Sequence, residues 1–469
     1  MNQDVFYLKE IINKENELDI YKYRVFAIPF WRIIRFKLRT RYLRIKTGFQ
    51  YNTKKRSLSF KLLLFNFFKS LFQYIVLFFK GKRYENIIFA FPRLQKVGDL
   101  YIDKFTDPII LNSKLKNSCL IFQRPLAGNH KENRINSEIT IKTDFIEFTS
   151  KIIGMFLFPF TGLFYLSTLI KLYKCSKESF LLKHKHFLFF TLNLSYFSIS
   201  YYFHYFLFKK LKPKRVFLVN REIFFPIILA CKRLKIIVYE IQHGVTHGET
   251  AVYSGKYDES IDPDYFLAFG EAWVGPQFGM PLDRIINIGW AYRDFIKGRY
   301  YNIPVIENSI LVISEPHITE KIISITKELA LLHKNINFHI RLHPQESLKD
   351  NHKEMLYGFD NIFIQDNNVE STLAVMSFKF LLGENSSVLY EALSFGKKVG
   401  RINYGGLFPE FVESYSIDGF YFLNSPDDFN YFINNSINNE YKVDNSFYSD
   451  FFVQVQKQIV IQQRICFLE

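Results

Sequence analysis

The sequence predicts an α/β fold built twice over: two parallel-sheet domains facing a cleft, preceded by a basic, aromatic helical region. Short apolar runs from residue 86 onward are continuous rather than alternating, which marks strands covered on both faces. They are separated by stretches of helical length, which marks parallel sheets. A polar stretch with Pro304 at its centre divides the runs into two sets, and 469 residues is more than one core needs.

Taken in order, residues 1–83 form the helical region. Within it, residues 31–83 hold fifteen Lys and Arg and no Asp or Glu, so the net charge of +16 resides almost wholly there. The same segment contains "LLLFNFFKSLFQYIVLFF" (62–79), rich in Phe and Leu. Basic flanks around an aromatic, apolar stretch fit a helix lying on an anionic membrane surface, each surface Lys or Arg adding ~1 kcal/mol. No zinc finger, RNP-type aromatic pair or GXXG clamp accompanies the charge, so nucleic acid is not expected as a partner.

Two further apolar runs, 152–170 and 187–208, are long enough to span a bilayer. The first contains Gly154, Pro159 and Gly162, and the second is heavy with Tyr, Ser, Asn and His204. Core or interfacial helices are expected rather than spans. The polar, acidic start carries no cleavable signal pattern, and four scattered cysteines form no CxxC pair, so a reduced, cytoplasmic protein peripheral to the inner face of the cell membrane is expected.

The first sheet domain spans 84–295, with strands expected at 86–91, 119–123, 216–220, 236–240 and 265–270 and a last one ending at Gly289. The second spans 296–469, with strands at 310–314, 338–342, 362–365, 378–383 and 398–403. In open parallel sheets ligands bind outside the carboxyl ends of the strands. Chemistry should therefore lie just after the runs.

Three segments there carry it. The first is "EIQHGVTHGE" (240–249): Gly244 lets the backbone turn and approach a ligand, beside Gln242, and His243, with an ordinary pKa near ~6.5, can serve as general base. His247, Glu240 and Glu249 are candidates to orient or tune it. The second is "RLHP" (341–344), where Arg341 supplies a fork for phosphate oxygens, His343 can donate to a leaving phosphate, and Pro344 ends the strand ladder. The third is "GENSSVLYEALSFG" (383–396), in which a strand runs into Glu384 and then a helix capped by Ser386 or Ser387. Free backbone N–H groups and two hydroxyls make a phosphate cradle, and Glu391, one turn past Ser387, can reach a ribose hydroxyl. Asp262 and Asp264 in "IDPDYF" have the DxD spacing of metal-dependent transferases but precede a strand instead of following one, and are read as a turn.

With these motifs in place, the ordered set "QHG" (242–244), "GWAYRDF" (289–295), "RLHP" and "SSVLYEA" (386–392) resembles the CDP-glycerol glycerophosphotransferases of teichoic acid assembly. The later part is also similar to bacterial sialyltransferases and capsule Kdo transferases, which share an HP motif followed by a serine pair. An "FGEAW" turn (269–273) and the early "FWRIIRF" segment resemble those of glycosyltransferases from O-antigen and capsule loci.

The resemblance implies a GT-B-like fold of two Rossmann-like domains. It implies an inverting, metal-independent transfer of a sugar from a nucleotide donor, with a CMP-linked acidic sugar favoured, to a lipid-linked or growing glycan. His243 would be the base; Arg341, His343, Ser386 and Ser387 would bind the donor phosphate, and Glu391 the ribose. Gly289 and Arg293 would line the cleft. No cofactor is expected beyond the nucleotide-sugar co-substrate. A polyol-phosphate transferase, a non-hydrolysing UDP-sugar 2-epimerase and a non-catalytic membrane scaffold are the alternatives.

Overall fold

The computed structural model describes residues 3–47, 59–80, 83–126, 130–244, 253–274, 278–300, 302–315, 318–344, 346, 348–365, 367, 369–384, 386–405, 419–434, 446–451 and 453–456. Two parallel sheets dominate it. The first has seven strands, β1 (Asn86–Ala90), β2 (Cys119–Gln123), β3 (Thr140–Lys142), β4 (Arg215–Val219), β5 (Ile237–Ile241), β6 (Tyr265–Ala268) and β7 (Ile285–Asn287), in the order 3-2-1-4-5-6-7. The second has six, β8 (Ser309–Ile313), β9 (Asn337–Arg341), β10 (Ile362–Ile364), β11 (Phe380–Gly383), β12 (Lys398–Ile402) and β13 (Phe420–Leu423), in the order 10-9-8-11-12-13.

Both orders run outward in one direction and then reverse, the doubly wound Rossmann arrangement. The reversal falls between β1 and β4 in the first sheet and between β8 and β11 in the second. This is the α/β, two-domain fold that the continuous apolar runs predicted. Strands β1, β2, β8 and β12 are buried at every position, so each needs cover on both faces.

The carboxyl ends of the two sheets face one another. Segments following β1 meet segments that follow β10 and β11: Gln95 Nε2 donates to Thr372 Oγ1 at 2.7 Å, and Lys104 pairs with Glu391. Tyr292, just after β7, shares a 2.6 Å hydrogen bond with the same Thr372 hydroxyl.

The crossover from β3 to β4 is long and helical, through Asp144–Phe164, Leu166–Ser176 and Lys185–Leu211. The last of these buries Phe190, Leu194, Phe197, His204 and Phe208, so the 187–208 run is a core helix. Helix Phe60–Phe79 closes the sheet edge instead: Ser70 Oγ donates to the Lys142 carbonyl at 2.6 Å, and Gln73 exchanges bonds with Lys142 and Thr140. It packs on Asp144–Phe164 through Phe67, whose ring lies 5.6 Å from Phe145 and 5.4 Å from Phe148.

The outward face of this helix pair is aromatic. Phe68, Phe72, Phe156 and Phe160 are 59%, 66%, 69% and 70% exposed, far above the norm for phenylalanine in a folded chain. By length and composition both helices could cross a membrane. Each nevertheless uses one face to cover the first domain.

The basic segment divides between surface and interior. Helix Phe30–Thr47 packs its Phe30, Trp31, Ile34, Leu38 and Tyr42 against the crossover helices, and carries Arg32 and Arg35 inward with it. Arg32 pairs with Asp262 at 2.8 Å and Arg35 with Glu15 at 2.6 Å, all four side chains sealed from solvent. Not all of the basic segment is therefore available to a surface: buried carboxylates claim two of its arginines.

The chain crosses back after the second sheet. Residues 446–451 lie on the first domain, where Ser449 N–H donates to the Phe269 carbonyl at 2.8 Å and Trp290 N–H to the Ser449 carbonyl at 3.0 Å. Gly289 has φ +72°, and a methyl there would lie 2.7 Å from the Asp450 carbonyl. Gly289→Ala combines a left-handed backbone with a backbone clash, and is expected to destabilise the protein by about 2 kcal/mol or more. Thermal unfolding checks this, with Gly298→Ala, where a methyl meets nothing closer than 3.7 Å, as the comparison.

Candidate functional site

The first domain's contribution begins where β5 ends. Gln242 is buried and spends its amide on the backbone: its N–H donates to the Leu267 carbonyl, Oε1 accepts from Phe269 N–H at 2.9 Å, and Nε2 donates to the Gly244 carbonyl at 2.9 Å. It therefore ties the ends of β5 and β6 together and holds the turn that follows. At Gly244 a methyl would meet nothing within 4 Å among the described residues.

His243 sits between them, half-buried, with Phe91 and Phe105 packed on its ring at 5.4 and 6.3 Å. Its Nδ1 is 2.6 Å from the hydroxyl of Tyr253. Burial, reinforced by the positive charges of Arg93, Lys104 and Arg221, pushes its pKa down to about 3. The imidazole is thus neutral at any physiological pH. His247 and Glu249 lie outside the described residues.

Behind His243 runs a buried charge network. Arg221, at the end of β4, pairs with Glu240 at 2.6 Å and with Asp262 at 3.0 Å, and Asp262 also holds Arg32. Burial alone would push the Asp262 carboxyl up, but the two guanidinium groups outweigh it and hold it below the usual range. Asp264 accepts from Lys232 at 2.6 Å and from Val238 N–H at 2.8 Å. Both aspartates of the DxD spacing are thus engaged by protein groups in the turn before β6.

The second domain contributes at its point of strand reversal. Strand β11 ends at Gly383, next to the end of β8, and the helix Ser387–Ser394 starts there. Ser386 is its cap, with Oγ accepting from Val388 N–H at 3.4 Å, and Ser387 is the first helical residue. Glu384 is buried within the field of Arg401 from β12.

Glu391 faces the first domain, and its carboxylate takes the ammonium of Lys104. Lys104 also lies 5.2 Å from the Phe105 ring and 6.0 Å from that of Trp290. Lys104 therefore links the two sides: its charge acts on His243, and its ammonium rests on the carboxylate one turn beyond the serine cap. No motif or spacing in the sequence marks Lys104, Tyr253 or Arg221.

Other predicted residues sit differently. Arg341 is buried and donates to Gln365 Oε1 at 3.2 Å and to the Val369 carbonyl at 2.8 Å, bracing the loop after β10. His343 is half-buried, its backbone N–H donating to Glu346 at 3.0 Å, and Pro344 is exposed. Arg293 donates to the Tyr448 carbonyl at 2.7 Å and lies 3.4 Å from the Asp450 carboxylate, so with Gly289 it holds the returning C-terminal segment.

Two Rossmann-type domains with opposed strand ends, a capped helix on one side and an imidazole on the other, define the chain as a two-domain α/β protein of the GT-B kind. No protein-family model and no curated protein matches it. Among solved structures it is similar to the UDP-GlcNAc 2-epimerase of Methanocaldococcus jannaschii, at 12% identity and a TM-score of 0.47, over 81% of this chain and 99% of that one. It is also similar to the wall teichoic acid polymerase TagF, at 10% identity and a TM-score of 0.37, over 82% of this chain and 84% of that one. A third is the glycotransferase of kitacinnamycin, at 10% identity and a TM-score of 0.40, over 76% and 92%. The fold rests on the strand orders of the two sheets, and what the chain does is argued from its own residues.

Proposed function

We propose that this protein is a glycosyltransferase that moves a sugar from a nucleotide donor, a CMP-linked acidic sugar first among them, to a lipid-linked or growing glycan at an anionic membrane surface. The observation that carries the reading is the cleft cluster Ser386, Ser387, Glu391, Lys104 and His243. A capped helix N-terminus at a point of strand reversal is suited to phosphate, and a carboxylate one turn along the helix is suited to ribose hydroxyls. Lys104 and the positive field around His243 favour a negatively charged ligand between the domains.

The membrane part of the reading is supported by the paired helices Phe60–Phe79 and Asp144–Phe164, whose outward phenylalanines have no place in water. Cytoplasmic, peripheral placement belongs to the same proposal.

A thermal-shift panel of CMP, CDP, UDP, GDP and dTDP tests the donor half. One nucleotide should raise the melting temperature, since a ligand at a hundred times its Kd stabilises by about 2.7 kcal/mol. The shift should be lost in the Ser386→Ala, Ser387→Ala double variant. No shift with any nucleotide would leave the scaffold alternative in possession. Turnover of CDP-glycerol would point to polyol-phosphate transfer, and conversion of UDP-GlcNAc without an acceptor to epimerisation.

A further inference from the structure

The two ring nitrogens of His243 differ, and the hydrogen bonds around Tyr253 decide which one carries the proton. Tyr253 is 2% exposed, and its oxygen accepts the backbone N–H of His243 at 3.3 Å. Its own O–H must be given to something, because a sealed hydroxyl with an unused proton costs about 1–3 kcal/mol. Among the described residues, the acceptor in reach is His243 Nδ1, at 2.6 Å. A nitrogen that accepts carries no hydrogen, so the neutral ring holds its proton on Nε2.

The surroundings keep the ring in that form. Phe91 and Phe105 pack against it, and the charged groups acting on it, Arg93, Lys104 and Arg221, are all cationic. The nearby carboxylates are already engaged, Glu240 with Arg221 and Glu391 with Lys104. Nε2 makes no hydrogen bond among the described residues, and the residue is only half-buried.

We propose that His243 presents Nε2–H as an uncharged hydrogen-bond donor to a phosphate oxygen of the nucleotide donor, and that Tyr253 is the positioning residue that fixes this tautomer. The proposal rests on the nucleotide-donor reading and changes the part His243 plays in it. An imidazole held this way has no lone pair toward the cleft, so it does not take the acceptor's proton, the role the sequence suggested. A neutral donor among cations adds to an anion site without adding repulsion, and bonds to a charged acceptor are about twice as strong as neutral ones.

Two measurements test it on the full-length protein. The first is a proton–nitrogen spectrum of protein labelled with 15N-histidine, with His243→Gln identifying the resonances. The Nε2–H tautomer should persist from pH 6 to 8, and Tyr253→Phe should shift the ring toward a mixture. An Nδ1–H tautomer or an imidazolium in the native protein would overturn the proposal.

The second is the affinity for whichever of CMP, CDP or UDP binds the native protein. His243→Ala should weaken it ~10-fold, as loss of one charge-assisted bond implies. His243→Gln, whose side-chain amide N–H can stand in for Nε2–H, should recover most of that loss. Equal loss in the two variants, or equal affinity in all three proteins, would refute the donor role. If none of these nucleotides binds the native protein, the nucleotide-donor reading itself falls and takes this role with it, whatever tautomer the spectrum reports.

Discussion

Asp262→Ala should destabilise the first domain at a cost of about 3–5 kcal/mol. Asp262 is fully buried and is the shared partner of Arg32 at 2.8 Å and Arg221 at 3.0 Å, both of which are also fully buried. Removing it leaves two sealed guanidinium groups without that charge. Glu222, within the field of Arg32, Arg35 and Arg221, would offset part of the loss, which places the result nearer ~3 kcal/mol. Asp262→Asn keeps the shape and some acceptor capacity but not the charge, and should fall between the two.

The sign with pH follows from the direction of the Asp262 shift. Its folded pKa is depressed, so the stabilisation is present above the ordinary carboxylate range and is lost as pH falls through the folded value. The difference between the native protein and Asp262→Ala, measured by urea unfolding, should therefore shrink as the pH is lowered below about 4. A difference that stays constant from pH 7 down to the acid transition would show that the cost is one of packing, not of charge. Because Arg221 also holds Glu240 at the foot of the His243 segment, loss of nucleotide binding should accompany the loss of stability.

The same network shows what could and could not be read in the sequence. Strands such as β1, β2 and β8 were legible because burial on both faces leaves a nearly continuous apolar run in the chain itself. β3 and β13 were not: each is an edge strand, the first with Ile141 buried between two half-buried polar residues, the second with its two middle residues only partly covered. The serine cap was legible because a cap is a local rule, settled within three residues of Ser386. Lys104 was invisible because its partner Glu391 is 287 positions away, and Tyr253 because no periodicity relates it to the ring ten residues earlier. Arg32 and Arg35 read as surface charge for the same reason: what buries an arginine is a distant carboxylate, and nothing in a run of basic residues announces one.

Replacing Phe68, Phe72, Phe156 and Phe160 together by serine should reduce partition onto vesicles by ~100-fold or more, while leaving nucleotide binding in place. The four side chains are 59–70% exposed and lie on the two helices that pack together through Phe67. Full burial of a phenylalanine contributes about 1.5–3 kcal/mol, and insertion at the headgroup level recovers a fraction of that. Even ~0.7 kcal/mol from each side chain gives ~3 kcal/mol in total, which is the hundredfold change.

Charge should act separately from this apolar term. Lys61, Lys69, Lys80, Lys151, Lys171 and Lys174 are exposed on these helices and the one that follows, and no Asp or Glu occurs from 148 to 177 or from 59 to 80. Each near the surface adds ~1 kcal/mol on anionic lipid and fades with salt over a Debye length of ~8–10 Å. Flotation with vesicles of phosphatidylcholine alone and with added phosphatidylglycerol, at low and high salt, separates the two terms. The serine variant should bind ~100-fold more weakly than the native protein at both salt concentrations, whereas the native protein on anionic vesicles should weaken with salt and persist. If the phenylalanines instead cover one another in a second copy of the chain, the native protein would be a dimer in solution, the serine variant a monomer, and vesicles would bind neither.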